Sequence, residues 1–403
     1  MSRILIISSG SPCRNPRPLK EAETLGRAAH DVTLLSVSES PALDAMEREL
    51  LKGASFRQES VENSVGGFAR TFQRMRQRIA RQMTSAGFPS LHALGHVDHL
   101  RRRAIDLPAD LTIVHNEIPF WIGCDLLDRG RRVAADFEDW HSEDLLPDAR
   151  RSRPLEPLRK LERRLLLESS YTSTTSAALS AALASRHGAP APHVLTNSFP
   201  LQSDPRSGPP ATPPVFFWFS QTLGPGRGLE SFCDAWIRTK QPSRLALVGA
   251  PTGNFDRQLR ARLPAEFAER VSFFPLVPPD RLPTLIAQYD IGLALEESRI
   301  VNRDLTITNK ILQYFNAGLA VVATPTAGQS EVLANAPGAG RLIDFASSPA
   351  GAAAALDLFL GDSAAVATAQ REARAAAEKI YCWEREGPRL VALVAKALSV
   401  PPT

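Results

Sequence analysis

The chain has 403 residues, 43% hydrophobic and 22% charged, an ordinary globular composition over a length that usually divides into two or more domains. Its 47 basic and 43 acidic residues leave a formal net charge of +4, too mild to make nucleic acid a partner on charge alone. Cys13, Cys124, Cys233 and Cys382 lie far apart, which excludes a zinc ribbon and a dense disulfide framework and fits a reducing cytosol. The apolar run in "MSRILIISSGSP" is too short for a signal-peptide core, and nothing later reaches membrane-spanning length. A cytoplasmic protein is expected, bound at most peripherally to the inner face of a membrane.

In chain order, "RILIIS" (3–8) and "DVTLLSV" (31–37) read as strands bracketing a helical "PLKEAETLGRAA". "FARTFQRMRQRIARQM" (68–83) places Phe68, Phe72, Met75, Ile79 and Met83 on one helical stripe, with Arg70, Arg74, Arg76, Arg78 and Arg81 around it. Two readings stand side by side: a helix lying in an anionic membrane surface, and a core-facing helix with a basic exterior. "LTIVHN" (111–116), "RVAADF" (132–137) and "YTSTTS" (171–176) continue the strand–helix alternation and complete a first αβ domain, 1–198. Prolines and missing apolar periodicity make 199–214, within "SFPLQSDPRSGPPATPP", a linker. The alternation restarts in 215–380 with "PVFFWFS", "RLALVGA", "RVSFFPL", "DIGLAL" and "LAVVAT". Leu390, Val391, Val394 and Leu398 at helical spacing make 381–403 a terminal helix, expected to pack across the two domains. Repeated βα units imply an α/β chain: two Rossmann-like doubly wound domains facing a central cleft, with ligands beyond the carboxyl ends of the strands.

Three stretches carry candidate chemistry. In "TNKILQYFNAGLAVVAT" (308–324), Thr308 is expected to cap a helix that opens with Asn309 and Lys310 and closes at Gly318. Free first-turn amides beside a lysine suit a phosphate, although a first-turn lysine is ordinarily a solvated surface residue. In "FSQTLGPGRGLESF" (219–232), a strand ends in a turn with Gly224, Gly226 and Gly228, and Arg227 precedes a helix. Glycines admit backbone amides close to a ligand and arginine offers a two-pronged fork, so the two turns together suggest a diphosphate clamp. "GQSEV" (328–332) opens a further helix whose Gly328 and Gln329 amides are expected to face the same group, while Glu331 reads better as a capping or packing residue than as a catalyst. In "DFEDWHSED" (136–144), Asp136, Glu138 and Asp139 crowd His141 just after a strand. These residues read as a metal site or as a general base with its carboxylate, but the spacing matches no zinc signature and no metal is assigned. His115 and Asn116, ending "LTIVHN", are a second cleft candidate.

Together these residues resemble the GT-B glycosyltransferases, in particular glycosyltransferase family 4 and its relatives, over most of the chain. "NPRPLKEAETL" (15–25), with Asn15 and Arg17, looks like the family's loop after the first strand, and Asn197 in "HVLTNSFP" like an asparagine late in the first domain. Arg227 and Gly228 match its basic-Gly pair, Val248 and Gly249 its "VG" strand end, and "KILQYFNAGLAVVAT" its donor segment. The resemblance implies that the second domain holds a nucleotide diphosphate sugar as co-substrate and the first a glycan or lipid-linked acceptor, with retention of configuration and no obligatory metal or covalently bound cofactor. It places His141 beside the donor sugar, Arg227 and Lys310 on the leaving diphosphate, and Gly224, Gly226, Gly249, Thr308, Asn309, Gln313, Gly328, Gln329 and Glu331 around the donor. Asn15, Arg17, His115 and Asn116 fall on the acceptor side. Many relatives carry two glutamates seven residues apart, and here Leu305 and Gln313 occupy those positions, with Asp304, Glu296 and Glu297 nearby as substitutes. Because many relatives act on membrane-borne acceptors, the resemblance leans the basic helix at 68–83 toward membrane contact. The expected activity is sugar transfer to an acceptor hydroxyl. Its rivals are a non-catalytic nucleotide-sugar-binding or partner module of the same fold, and a sugar-nucleotide epimerase.

Overall fold

A computed structural model describes residues 1–62 and 66–400, without the side chains of 66–70 and of Pro147. The chain forms two units, Met1–Leu195 with Gly387–Thr403, and Thr196–Glu386. The first holds β1 (Arg3–Ile7), β2 (Asp31–Ser38), β3 (Arg57–Glu62), β4 (Leu111–His115), β5 (Val133–Phe137), β6 (Thr172–Thr174) and β7 (His193–Val194), all parallel in the order β3-β2-β1-β4-β5-β6-β7. The second holds β8 (Val215–Leu223), β9 (Arg244–Pro251), β10 (Val271–Phe274), β11 (Ile291–Ala294), β12 (Ala320–Ala323) and β13 (Gly340–Leu342), parallel in the order β10-β9-β8-β11-β12-β13. Both are doubly wound sheets of the expected class. In each, the strand order reverses beside the first strand, and the crevice at that switch point is where such sheets take ligands.

The sequence of β8 shows why it is central. A parallel sheet covered by helices on both faces buries alternate residues on opposite sides, so its strands read as unbroken apolar runs. Phe216 and Trp218 enter one core with Phe232, Trp236 and Leu247, while Phe217 enters the other with Ile311, Tyr314 and Phe315. The proline-rich stretch after Thr196 has no strand or helix but is tied down. Arg206 donates to Asp290 Oδ1 at 2.6 Å and to Tyr289 O at 2.7 Å, and Asp290 Oδ2 accepts from Val215 N at 2.8 Å. Thr196 Oγ1 donates to Glu386 Oε1 at 2.7 Å, so the two ends of the second unit meet. The C-terminal helix Trp383–Ser399 contributes Leu390 and Val394 to buried positions, and Arg389 Nη2 donates to Val194 O at 2.7 Å within the first unit.

The basic segment forms the helix Gly66–Ser85. Phe68 and Arg70, part of its expected stripe and fringe, have side chains outside the described residues. The helix packs through Gln73, Ala80 and Thr84, small or polar residues, rather than through its apolar stripe. Phe72, Met75, Ile79 and Met83 are 47–57% exposed, so the core-facing reading does not hold. Anchoring bonds explain the orientation: Arg81 Nε donates to Ala93 O at 3.2 Å, and Thr84 Oγ1 accepts from Ser90 N at 3.2 Å.

No single helix among the described residues is long and apolar enough to cross a membrane. The pair Pro349–Leu360 and Ser363–Lys379 reaches that length only jointly, bent by 87°, and buries Leu356, Phe359 and Val366 in the second unit's core.

Candidate functional site

In the second unit, the turn after β8 carries Arg227, and Gly228 begins the helix Leu229–Trp236 at φ +77°. A Cβ on Gly228 would stand 2.3 Å from Leu295 O, so this glycine lets the turn lie against the end of β11. Glu296 stands two residues past β11, and Lys310 Nζ lies 2.6 Å from its Oε1, both side chains about 85% buried. Lys310 also sits 5.7 Å from the centre of the Trp218 ring. Burial pushes the Glu296 carboxyl up, but Lys310, then Arg303 and Arg227, carry it below the usual carboxylate range. Three cations therefore act on one carboxylate at the switch point.

Arg227 forms no ion pair among the described residues. Its guanidinium donates to Ser220 Oγ at 3.2 Å and Thr222 Oγ1 at 3.1 Å, both neutral acceptors. Arg303, on the short helix Val301–Leu305, was not legible in the sequence, where it looks like any surface arginine between Asn302 and Asp304. Glu296 did stand out, as a strand-end acid, but its pairing with Lys310 did not. A recess of about 440 Å³ opens beside this cluster, lined by Gly228, Glu296, Glu297, Thr324, Thr326 and Asp344 among others.

The helix Asn309–Ala317 begins at Thr308 and ends at Gly318 in the left-handed region, but Thr308 makes no capping bond. Among the described residues its buried Oγ1 has no hydrogen-bond partner, nor has Gln313 Oε1. The expected cap occurs instead on the next helix, Ala327–Asn335, where Thr326 Oγ1 accepts from Gln329 N at 3.3 Å and Asp304 Oδ1 from Ala327 N at 3.3 Å. Gln329 is buried, with Nε2 donating to Thr324 O at 3.0 Å, so both its amide and its side chain are engaged within the unit. A Cβ on Gly328 would lie 2.2 Å from Thr306 O, and one on Gly249 2.8 Å from Ser220 O, so close packing requires both glycines. Gly224 approaches Thr252, and Gly226 stands in open space at φ +71°. Glu331 lies toward Tyr381, whose phenol is held up first by burial and further by this carboxylate.

In the first unit, a recess of about 440 Å³ lies beyond the carboxyl ends of β1, β4 and β5, bordered by Arg14, Asn15, Glu39, Asn116, Glu117, Glu138, Asp139 and His141. Asn116 takes φ +69° and accepts from Ser8 Oγ at 3.1 Å. His141 begins the turn His141–Glu143, packed edge-on against Phe120 at 5.3 Å. Its buried Nε2 has no hydrogen-bond partner among the described residues, and burial pushes the imidazole below its usual range, with Asp139 opposing. Glu138 is pushed up to about 7 by burial and by Asp139 beside it. The turn is held from below by Glu162, which accepts from Ser142 N at 2.9 Å and Ser142 Oγ at 2.7 Å, and whose carboxyl burial pushes up to about 7.

Arg17 and His115 do not line this recess. Both are fully buried: Arg17 Nε donates to Asp136 Oδ2 at 2.8 Å and its Nη1 to Leu195 O at 2.8 Å, while His115 Nε2 lies 3.1 Å from Glu21 Oε2. Asp136 thus pairs with Arg17 beneath the recess and is not the carboxylate that orients His141. Glu21, His115 and Asp136 come close enough to share a cation. Arg17 stands against that, because its Nη2 at 2.7 Å from Asp136 already supplies the positive charge.

Residues 213–362, most of the second unit, match the family described as "Glycosyl transferases group 1". Sucrose-phosphate synthase from Thermosynechococcus elongatus superposes with TM-score 0.73 at 14% identity, covering 98% of this chain and 99% of that one. HepE of Anabaena, solved with UDP, gives 0.70 at 18% over 98% and 100%. TarM of S. aureus, solved with fondaparinux, alpha-GlcNAc-glycerol and UDP, gives 0.71 at 8% over 99% and 100%. No curated protein sequence matches the chain. The chain has the GT-B fold, and its 213–362 segment is similar to the group 1 glycosyltransferases.

Proposed function

We propose that the second unit binds a nucleoside diphosphate sugar and that the protein transfers the sugar to an acceptor hydroxyl held by the first. The observation that carries this reading is the buried Lys310–Glu296 pair at the switch point, its carboxyl lowered further by Arg303 and Arg227, in a segment similar to the group 1 glycosyltransferases. When the glycosidic bond breaks, one further negative charge develops on the departing diphosphate, which takes up the proton of the attacking hydroxyl, and preorganised cations stabilise that charge most in a site shielded from water. Arg227 is the readiest of the three, since only neutral hydroxyls hold it. Lys310 exchanges its bond to Glu296 for one to phosphate, or shares itself between them. On this reading the cations supply the countercharge without a metal, the anomeric configuration is retained, and the acceptor is a glycan, glycolipid or polysaccharide precursor. His141, with its unpartnered Nε2 on the first unit's recess, orients a sugar hydroxyl.

A thermal-shift panel of UDP, GDP, ADP and TDP tests the donor half. One of them is expected to raise the melting temperature of wild type, and Arg227→Ala to weaken that binding roughly tenfold or more, the value of one charge-assisted hydrogen bond. No shift with any nucleotide would refute the reading. Leu305 and Gln313, neutral where many relatives carry glutamates, favour the second reading of a binding module without turnover. Nucleotide binding with no transfer or donor hydrolysis would establish it.

A further inference from the structure

We propose that the helix Gly66–Ser85 and the turn after it dock this protein on an anionic lipid bilayer. Phe72, Met75, Ile79 and Met83 recur at helical spacing and, at 100° per residue, fall within an arc of about 80°. All four are about half exposed, and Phe88, just beyond the helix, is 68% exposed. A soluble helix ordinarily turns such a stripe inward, and here the inward face is Gln73, Ala80 and Thr84. The apolar face is therefore left half exposed among the described residues, and is of a kind that marks an interaction surface.

Charge decides what covers it. From residue 63 to residue 97 the sequence has five arginines and no carboxylate. Arg76 is paired with Asp98 from beyond that stretch and Arg74 borders a recess that also holds Glu39, Asp44 and Glu62, while Arg78 and Arg81 are exposed and make no ion pair among the described residues. Apolar side chains flanked by exposed arginines, with no acid on the helix itself, suit an interface where the former enter the acyl boundary and the latter meet lipid phosphates. A second copy of this helix fits worse, because it would bring two sets of arginines together with no acid on either stripe. The inference is independent of the donor site and stands or falls apart from it.

The test is flotation of the full chain with vesicles of phosphatidylcholine alone and of equimolar phosphatidylcholine and phosphatidylglycerol. Wild type is expected to float with the anionic vesicles only, and to release as salt rises. Arg74→Gln/Arg78→Gln is expected to lower partitioning at least roughly tenfold, and Phe72→Ser/Ile79→Ser to lower it comparably. Both variants change exposed side chains, and circular dichroism with melting confirms that they fold. Failure of wild type to float, or flotation unchanged in the stripe variant, overturns the proposal. So does sedimentation showing a dimer that the stripe variant dissolves without any lipid binding. If a variant fails to fold, the wild-type contrast between the two vesicles and its salt dependence still decides.

Discussion

Lys310 and Glu296 show how one buried pair ties stability to ligand binding. Removing one partner of a buried ion pair strands the other charge, whereas replacing both removes the problem. Lys310→Met is therefore expected to cost about 3 kcal/mol in urea unfolding, and Glu296→Gln/Lys310→Met clearly less, a coupling that a double-mutant cycle measures. Near His141, Glu162 lets protonation be read out. Its folded-state carboxyl is raised from its ordinary 4.5 to about 7, so its stabilisation is complete below the unfolded value and is lost as pH rises through the folded one. Glu162→Gln does not titrate. Its melting temperature relative to wild type is expected to climb between about pH 5 and pH 8, and a constant difference would show that Glu162 does not titrate in that window.

Helix starts and turns explain which parts of the molecule were legible. Strands with β-branched or aromatic runs, such as β1, β4, β8 and β12, declared themselves because both their faces are buried. β3, "RQESVE", and β13, "GRL", did not: they are edge strands, mostly exposed, and need no apolar pattern. The periodicity of the basic helix gave its existence but not its orientation, which depends on bonds to Ala93 and Ser90 that no local pattern encodes. Arg227 and Lys310 stood out as basic residues at helix starts, yet their common neighbour Glu296 comes from the sheet order β8-β11-β12, invisible along the chain. Thr308 looked like a cap and is not one. Thr326→Ala is thus expected to cost about 1 kcal/mol and Thr308→Ala much less, by thermal or urea unfolding. Glycines separate similarly. Gly226→Ala meets only the left-handed penalty of about 1 kcal/mol, whereas Gly228→Ala must also displace Leu295 O and is expected to cost at least about 3 kcal/mol.

At the scale of the whole molecule, the second unit is a continuous segment set into the first, which recovers the chain at Gly387. Its ends join through Thr196 and Glu386, and Phe199 pairs with Cys382 alongside. Segment 196–386 produced alone is expected to melt cooperatively, because both of its sheet faces are covered by its own helices; a broad, non-cooperative transition would contradict this.

The same junction sets a sequence of events during folding. To seat residues 387–400 beside β7, the first unit must bring together two points of the chain separated by the entire inserted segment, an entropic cost of about 5 kcal/mol for a loose loop. Once the inserted segment has condensed, the Thr196–Glu386 bond has already drawn those points together and most of that cost is gone. The docking of residues 387–400 is thus expected to follow condensation of the inserted segment, and lesions such as Gly228→Ala should slow the burial of Leu390 and Val394 even though they lie in the other unit.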